Sequence, residues 1–299
     1  MKLSYYPGCS LQGTAREYDR SIRAVTSALG IELVELPDWS CCGASSAHMT
    51  SPALAVGLAA RNLEQAEAAG LDLLVPCAAC FQRLRGAALA RQGGEGHRHD
   101  AAGRDGAAAA SIEIIHLTTL LAPPERLAAL RRLVARPLTG LRLACYYGCL
   151  SLRPPAVTGT TQHEHPEGLD RLVEALGAQP VRWSCKTECC SGSLTMARPD
   201  IARSLVGEIL AAARRGGAQA LVTDCPMCQA NLESRQGDPA APSGGDPAAP
   251  SGGAPALPVF FVTELVAGAL SAAGGAGHWK EHLIDPRPLL GQLVGWGER

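Results

Sequence analysis

Short apolar runs alternate with longer alanine-rich amphipathic segments along most of the chain, and the alternation occurs twice. In the first half it predicts strand, helix, strand, helix and strand at 2–6, 14–29, 31–36, 53–69 and 71–76. The second half repeats the order at 141–146, 169–176, 181–184, 198–215 and 220–223. Strands that alternate with helices of this length are typical of βαβ units and a parallel sheet. We therefore expect an α/β protein with two similar halves, each a small parallel sheet flanked by helices.

Each half also ends in a comparable way. Apolar runs at 111–115 and 258–262 predict a closing strand followed by a helix. We expect the domains to span 1–138 and 139–299. Within the second, the octamer Gly-Asp-Pro-Ala-Ala-Pro-Ser-Gly occurs twice in tandem from Gly237 to Gly252. Glycine and proline at this density, without large apolar side chains, predict a disordered insertion at 237–256 that carries no chemistry.

Composition narrows the class of protein. The 299 residues are 46% hydrophobic with a formal net charge of -1, which gives no reason to expect a nucleic acid or a membrane surface as partner. No apolar run reaches the roughly 18 residues of a membrane-spanning helix, and the first residues lack the apolar core of a signal peptide. Twelve cysteines in such a chain favour metal ligation over disulfides. We expect a cytoplasmic protein without membrane insertion.

Ten of the twelve cysteines form two equivalent sets. Each set has one cysteine, then an adjacent pair, then 34 residues and a Cys-x-x-Cys: Cys9, Cys41, Cys42, Cys77 and Cys80, and Cys149, Cys189, Cys190, Cys225 and Cys228. The clusters follow predicted strands at their carboxyl ends, where open α/β sheets bind ligands. Five thiols are one more than a tetrahedral zinc ion or an ordinary four-iron cube takes, which indicates an unusual iron-sulfur centre. The alternative is two structural zinc sites, each with a spare thiol.

The arrangement C-x31-CC-x34-C-x-x-C and its second copy, C-x39-CC-x34-C-x-x-C, resemble the paired cysteine-rich CCG domains found in the B subunit of heterodisulfide reductase. The similarity covers nearly the whole chain and includes Tyr-Pro-Gly-Cys at 6–9 and Tyr-Gly-Cys at 147–149. It implies two duplicated Rossmann-like CCG domains. It also implies that each five-cysteine set binds a non-cubane [4Fe-4S] cluster, with one thiolate bridging two irons, and that a disulfide substrate is cleaved between the two clusters.

The resemblance predicts the catalytic iron-sulfur subunit of a heterodisulfide-reductase-like complex, which reduces a disulfide to two thiols. The chain has no nucleotide-binding fingerprint and no ferredoxin-type cysteine run. Electrons must therefore arrive from elsewhere, and the resemblance implies two partners: a ferredoxin-like iron-sulfur protein, similar to the C subunit of such complexes, and a flavoprotein similar to their A subunit. One alternative is an electron-relay subunit of a glycolate, lactate, succinate or quinone-linked oxidoreductase. The other is a zinc-stabilised scaffold without enzymatic activity.

Several residues depart from or add to the pattern. Ser191 stands where the CCG pattern has glycine, and Gly192 next to it is the alternative occupant of that turn position. Cys145 and Cys185 are extra, and are expected to be either unreactive buried thiols or a redox-active pair beside the second set. Lys186 and His48 are weak candidates for residues that support a cluster or an anionic substrate; a solvated lysine and a surface or capping histidine are the alternatives.

Overall fold

Two four-stranded parallel sheets, one in each half, organise the computed structural model, which describes residues 1–44, 47–92, 112–236, 256–272 and 277–296. The predicted insertion at 237–256 lies outside these ranges except for its last residue. The strands are β1 (Lys2–Tyr5), β2 (Glu32–Glu35), β3 (Leu73–Val75), β4 (Ile114–His116), β5 (Arg142–Cys145), β6 (Gln179–Pro180), β7 (Ala220–Thr223) and β8 (Val259–Phe261). Their order is β2-β1-β3-β4 in one sheet and β6-β5-β7-β8 in the other. The duplicated α/β architecture is thus confirmed.

Helices connect the strands. They are α1 (Gly8–Gln12), α2 (Arg16–Ala28), α3 (Ala47–Thr50), α4 (Pro52–Ala69), α5 (Ala78–Gln92), α6 (Leu117–Leu121), α7 (Pro124–Leu133), α8 (Pro155–Thr158), α9 (Gly168–Ala175), α10 (Pro199–Arg215), α11 (Pro226–Ser234), α12 (Val262–Leu270) and α13 (Arg287–Leu290). The longest shows why the sequence folds this way: Ser51 accepts a hydrogen bond from the Leu54 amide, Pro52 opens α4, and Gly70 ends it at φ +65°. In the described ranges no helix has the length and apolarity needed to cross a membrane.

One predicted strand is displaced. The strand expected at 181–184 pairs instead at Gln179 and Pro180, at the edge of the second sheet. Proline has no amide hydrogen to donate, which restricts it to edge strands and bulges. The Val181 amide still donates to the Leu143 carbonyl at 2.8 Å, and beyond it the Trp183 indole donates to the Cys145 carbonyl at 3.2 Å. Residues 181–184 therefore stay bonded to β5 at two points but do not form a strand.

One large core cluster spans the two halves, because each half contributes a helix to the other. Helix α2 of the first half packs against α12 of the second, and α9 of the second half packs against α6 of the first. At the first contact, the rings of Tyr18 and Phe261 stack with centroids 4.1 Å apart. The Tyr18 hydroxyl donates to the Asp224 carbonyl at 2.8 Å, and both residues are buried. This exchange holds the carboxyl ends of the two sheets close together.

Candidate functional site

Both cysteine sets lie at the carboxyl ends of their sheets, as the sequence predicts. Cys9 follows β1 on the short helix α1, and the Cys41–Cys42 pair follows β2. Cys77 and Cys225 follow β3 and β7 and immediately precede α5 and α11, so each Cys-x-x-Cys opens a helix. The parallel connections thus bring residues that are far apart in sequence to one edge of each sheet.

The first set is held by close backbone approaches. The sulfurs of Cys42 and Cys80 are 3.1 Å apart, and the Gly43 amide donates to the Cys41 sulfur at 3.4 Å. Gly8, which precedes Cys9, has φ +68°, and a β-carbon there would lie 3.2 Å from the Cys80 sulfur. Glycine is therefore required at this position both for the left-handed backbone and for the approach of the thiol.

The second set reproduces this geometry. Cys190 and Cys228 have sulfurs 3.4 Å apart, and a β-carbon on Gly148 (φ +67°) would lie 3.1 Å from the Cys228 sulfur. The Ser191 amide donates to the Cys189 sulfur at 3.3 Å, as the Gly43 amide does to Cys41. Ser191 has φ +60° and Gly43 has φ +80°. Ser191 itself therefore keeps the left-handed turn, and Cys189 is the structural equivalent of Cys41.

A buried tyrosine fixes each adjacent cysteine pair. The Tyr6 hydroxyl donates to the Ser40 carbonyl and the Tyr146 hydroxyl to the Glu188 carbonyl, each at 2.7 Å. Ser40 and Glu188 are the residues immediately before the two pairs. Burial and the neighbouring cysteines raise the pKa of both phenols far above the ordinary value. Both tyrosines therefore stay protonated and remain hydrogen-bond donors.

The two sets meet at the junction of the halves. Cys77 and Cys225, the first cysteines of the two Cys-x-x-Cys motifs, are both buried, and each thiol affects the pKa of the other. The Cys225 thiol raises the pKa of Cys77, whereas the thiols of Cys228 and Cys77 lower the pKa of Cys225. Towards solvent, Cys9 and Cys189 are exposed. Each set thus extends from an exposed edge to a buried thiol next to the other set.

The thiols suit a group that binds several thiolates. The hydrogen bond with Cys80 lowers the pKa of Cys42 to about 7, and that with Cys149 lowers the pKa of Cys189 to about 6, so at least one thiol in each set ionises readily near neutral pH. Thiolate sulfur is the ligand of iron-sulfur clusters. Within the described ranges, no three His, Cys, Asp or Glu side chains form a group that could hold a single metal ion. The donors present, five thiols in each half, fit a multi-iron group in chemistry and number.

The four additional candidates have separate environments. Cys145 is buried at the end of β5, where burial raises the pKa of its thiol, whereas Cys185 is partly exposed. The Lys186 ammonium lies 2.8 Å from both Asp170 carboxylate oxygens and 3.1 Å from the Pro166 carbonyl. The lysine is thus partly buried and engaged by its own half. His48 lies on α3, and among the described residues its buried Nδ1 has no hydrogen-bonding partner.

A cavity of about 390 Å³ beside the junction was not predicted from the sequence. His116, at the end of β4, and Asp224, immediately before Cys225, both line it, with His116 Nδ1 3.4 Å from Asp224 Oδ2. The Thr118 hydroxyl also donates to Asp224 Oδ2. The sequence contained only a weak indication of this cavity. A polar residue stands at or just after the end of each of two apolar strands, but the two strands belong to different halves.

Comparisons with known proteins agree with the duplicated architecture. The profile of the CCG cysteine-rich domain matches residues 3–85 and 143–233. The 8-methylmenaquinol:fumarate reductase membrane anchor subunit of Wolinella succinogenes is 33% identical over 239 residues, covering 79% of this chain and 84% of that protein. The B subunit of a ferredoxin/F420H2-dependent CoB-CoM heterodisulfide reductase from Methanosarcina acetivorans is 27% identical, with 79% and 80% covered. A protein of Archaeoglobus profundus that is named as similar to the heterodisulfide reductase B subunit is 28% identical, with 79% and 82% covered.

A solved structure shows the same fold. The crystal structure of a hypothetical protein from Helicobacter pylori superposes with a TM-score of 0.63 at 11% identity. The superposition covers 95% of this chain and 52% of the Helicobacter chain, so this chain spans about half the length of that protein.

Proposed function

Because this chain belongs to the family of proteins with CCG cysteine-rich domains, we propose that it is an iron-sulfur subunit of an oxidoreductase complex and transfers electrons between a quinol and a partner subunit. The two sets of cysteines, Cys9, Cys41, Cys42, Cys77 and Cys80 with Cys149, Cys189, Cys190, Cys225 and Cys228, would each hold one cluster of the non-cubane [4Fe-4S] type. The domains 1–138 and 139–299 would carry one cluster each.

The meeting of the two sets at the buried residues Cys77 and Cys225 carries this proposal. Two clusters held by neighbouring thiols would lie close enough to exchange electrons directly. When bound, the clusters would supply one-electron redox chemistry. The protein would supply the arrangement: amides of Gly43 and Ser191 donate to cysteine sulfurs, and Tyr6 and Tyr146 fix the loops that carry the adjacent pairs. The exposed thiols Cys9 and Cys189 mark the side open to the approach of a partner protein.

The relative from Wolinella favours a quinol as the reductant. It is 33% identical to this chain, against 27% and 28% for the heterodisulfide reductase relatives, and its name contains both a quinol and fumarate. Carried over to this chain, the name implies a quinol-linked complex in which a separate subunit reduces the final acceptor.

Reduction of a disulfide is the second candidate. It is favoured by the two heterodisulfide reductase relatives and by the meeting of two equivalent thiol sets. A disulfide placed between the sets would receive one electron from each side. Each half would also offer a binding site for one of the two sulfurs. In that case a ferredoxin-like protein and a flavoprotein would deliver the electrons.

Metal analysis of the full chain, purified without oxygen, tests the proposal that both sets hold clusters. We expect about eight iron atoms and about eight acid-labile sulfides per chain, from two four-iron clusters. Zinc in stoichiometric amount without sulfide would refute an iron-sulfur function and leave a structural role for the thiols.

Turnover of the intact complex separates the two candidate functions. With menadiol as reductant we expect the clusters to become reduced, as followed by their visible absorbance, and with a mixed thiol disulfide as oxidant we expect no turnover. Rapid reduction of the disulfide, without reaction with menadiol, would favour the second candidate.

A further inference from the structure

The two halves differ in one pair of equivalent regions beside the thiol junction. The Cys-x-x-Cys spacing relates Arg85 to Glu233, and the closing strands relate His116 to Phe261. The Asp-Arg pairs on the exchanged helices relate Asp19-Arg20 to Asp170-Arg171. These relations make the cavity lined by Arg85, His116 and Arg171 the counterpart of a region lined by Glu233, Phe261 and Arg20.

The counterpart region is filled by the C-terminal segment. His282 lies 3.1 Å from Glu233 and 3.0 Å from Glu264, and the Leu283 amide donates to Glu233 at 2.9 Å. Arg20 pairs with Glu281 at 2.5 Å. On the cavity side no described segment occupies the equivalent volume, and about 390 Å³ remains. The space is therefore part of the fold, and the chain fills it on one side only.

The cavity floor carries two buried polar atoms. His116 is 3% exposed and Asp224 is 1% exposed. Among the residues that the structure describes, neither His116 Nε2 nor Asp224 Oδ1 has a hydrogen-bonding partner. A buried polar atom without a partner is costly, so such an atom on the surface of a cavity indicates a ligand or an ordered water.

The environment of His116 decides which ligand atom can pair with it. Its Nδ1 faces Asp224 Oδ2 at 3.4 Å, and a ring nitrogen beside a carboxylate carries the proton. In the neutral imidazole the other nitrogen, Nε2, is then a hydrogen-bond acceptor. Asp224 Oδ1, which also has no partner among the described residues, carries acceptor lone pairs as well. The floor therefore matches a ligand that donates hydrogen bonds.

One part of the cavity wall matches an apolar ring. Phe81, Ile114 and Leu152 contribute apolar surface, and Tyr147 lines the same space. The floor also adjoins both thiol sets, since Asp224 directly precedes Cys225, and the ring of Phe81, next to Cys80, lies 5.2 Å from the His116 ring.

We propose that this cavity binds a hydroquinone ring, with a ring hydroxyl donating to His116 Nε2. The proposal rests on the proposed quinol-linked function and adds the site and its preference. A hydroquinone presents hydroxyl donors, whereas the oxidised quinone presents only carbonyl acceptors, which would face the acceptors of the floor. The cavity therefore binds the reduced ring more tightly than the oxidised ring.

Anaerobic calorimetric titration of the full cluster-loaded chain with menadiol and with menadione tests this site. Wild-type protein should bind menadiol at least about 10-fold more tightly than menadione, which corresponds to about 1.4 kcal/mol. His116→Phe, which installs the residue found at the equivalent position 261, should abolish that preference. Equal affinities for the two rings in wild type, or an unchanged preference in His116→Phe, would overturn the proposal.

Two further variants distinguish loss of the binding site from a folding defect. Thr161→Trp changes an exposed residue at the cavity mouth and should weaken menadiol binding at least about 10-fold by filling the entrance, a change of about 1.4 kcal/mol. Arg20→Gln, at the filled counterpart, should bind menadiol like wild type. Normal binding by Thr161→Trp would exclude this cavity. Tight binding of menadiol without reduction of the clusters would contradict the quinol-linked function and leave the binding site standing.

Discussion

Cys42 and Cys190 are the buried members of the two adjacent pairs, and each lies within 3.4 Å of the second cysteine of its Cys-x-x-Cys. Their serine variants should each lose one cluster and keep the other, because the two sets share no thiol. Iron and sulfide should therefore fall by about half in either single variant, from about eight to about four per chain. Cys185→Ser is the matched control and should keep the full content. Loss of all iron in Cys42→Ser would show that the two sites are not independent.

A second residue-scale prediction concerns the turn after each pair. A β-carbon at Gly43 would lie 3.3 Å from the Ala55 α-carbon on a backbone at φ +80°. Gly43→Ser should therefore lower the free energy of unfolding by about 1–2 kcal/mol, the usual cost of a left-handed non-glycine residue. Ser191→Gly is the control, and should be neutral or slightly stabilising. Denaturant unfolding without oxygen measures both, and equal stability of Gly43→Ser and wild type would contradict the reasoning.

The sequence could identify the cysteines because their spacing repeats, but it could not identify His116 and Asp224. A thiol set is a local pattern that can be counted along the chain. The cavity residues end strands of different halves and acquire a common environment only through the exchanged packing. Their assignment needed the structure, as did the finding that Lys186 pairs with Asp170. The role of the ten cysteines as iron ligands stays a prediction.

At the scale of elements, the C-terminal segment is held by a buried histidine between two carboxylates. Burial lowers the pKa of His282, but hydrogen bonds with Glu233 and Glu264 outweigh it and raise the pKa to about 10. The charged histidine therefore stabilises the folded protein fully below the ordinary pKa of about 6.5, and this contribution is lost as the pH rises towards 10.

His282→Ala should lower the free energy of unfolding by about 3–5 kcal/mol near pH 6, because it leaves two buried carboxylates without their cation. The difference from wild type should shrink as the pH rises above about 7. Unfolding in urea at pH 6 and pH 9 measures this, and a difference that grows with pH would contradict the charge assignment. His163→Ala, which changes a histidine near the exposed Glu164, is the control and should have little effect.

Most elements could be predicted because their signals are local. The strand at 220–223 has the expected bounds, and the helices predicted at 53–69 and 198–215 begin one residue away from their observed starts. The prediction of a strand at 181–184 was wrong, because Pro180 and the edge position limit backbone pairing there. The exchange of α2 and α9 between halves was not predicted, since an amphipathic pattern shows that a helix has a buried face but not which helix covers it.

For the whole molecule, the meeting of the two sets predicts that neither works alone. If electrons pass through both sites, loss of either should reduce turnover by at least 10-fold rather than by half. Steady-state assay of the intact complex with Cys42→Ser and with Cys190→Ser checks this, with Cys145→Ser as a control expected to keep most activity. Half-maximal activity in either cluster variant would indicate two parallel and independent sites.

The division at residues 138 and 139 stays a prediction, because the sheets are separate while the core is shared. The same exchange has a consequence for synthesis on the ribosome. Ser21 of α2 pairs with Thr263 of α12, 242 residues later. At a synthesis rate of about 5–20 residues per second, α12 is made about 10–50 s after α2. The apolar face of α2 has no partner helix during that time. During that interval Tyr18 and its apolar neighbours are open to aggregation, although the folded protein buries Tyr18 completely.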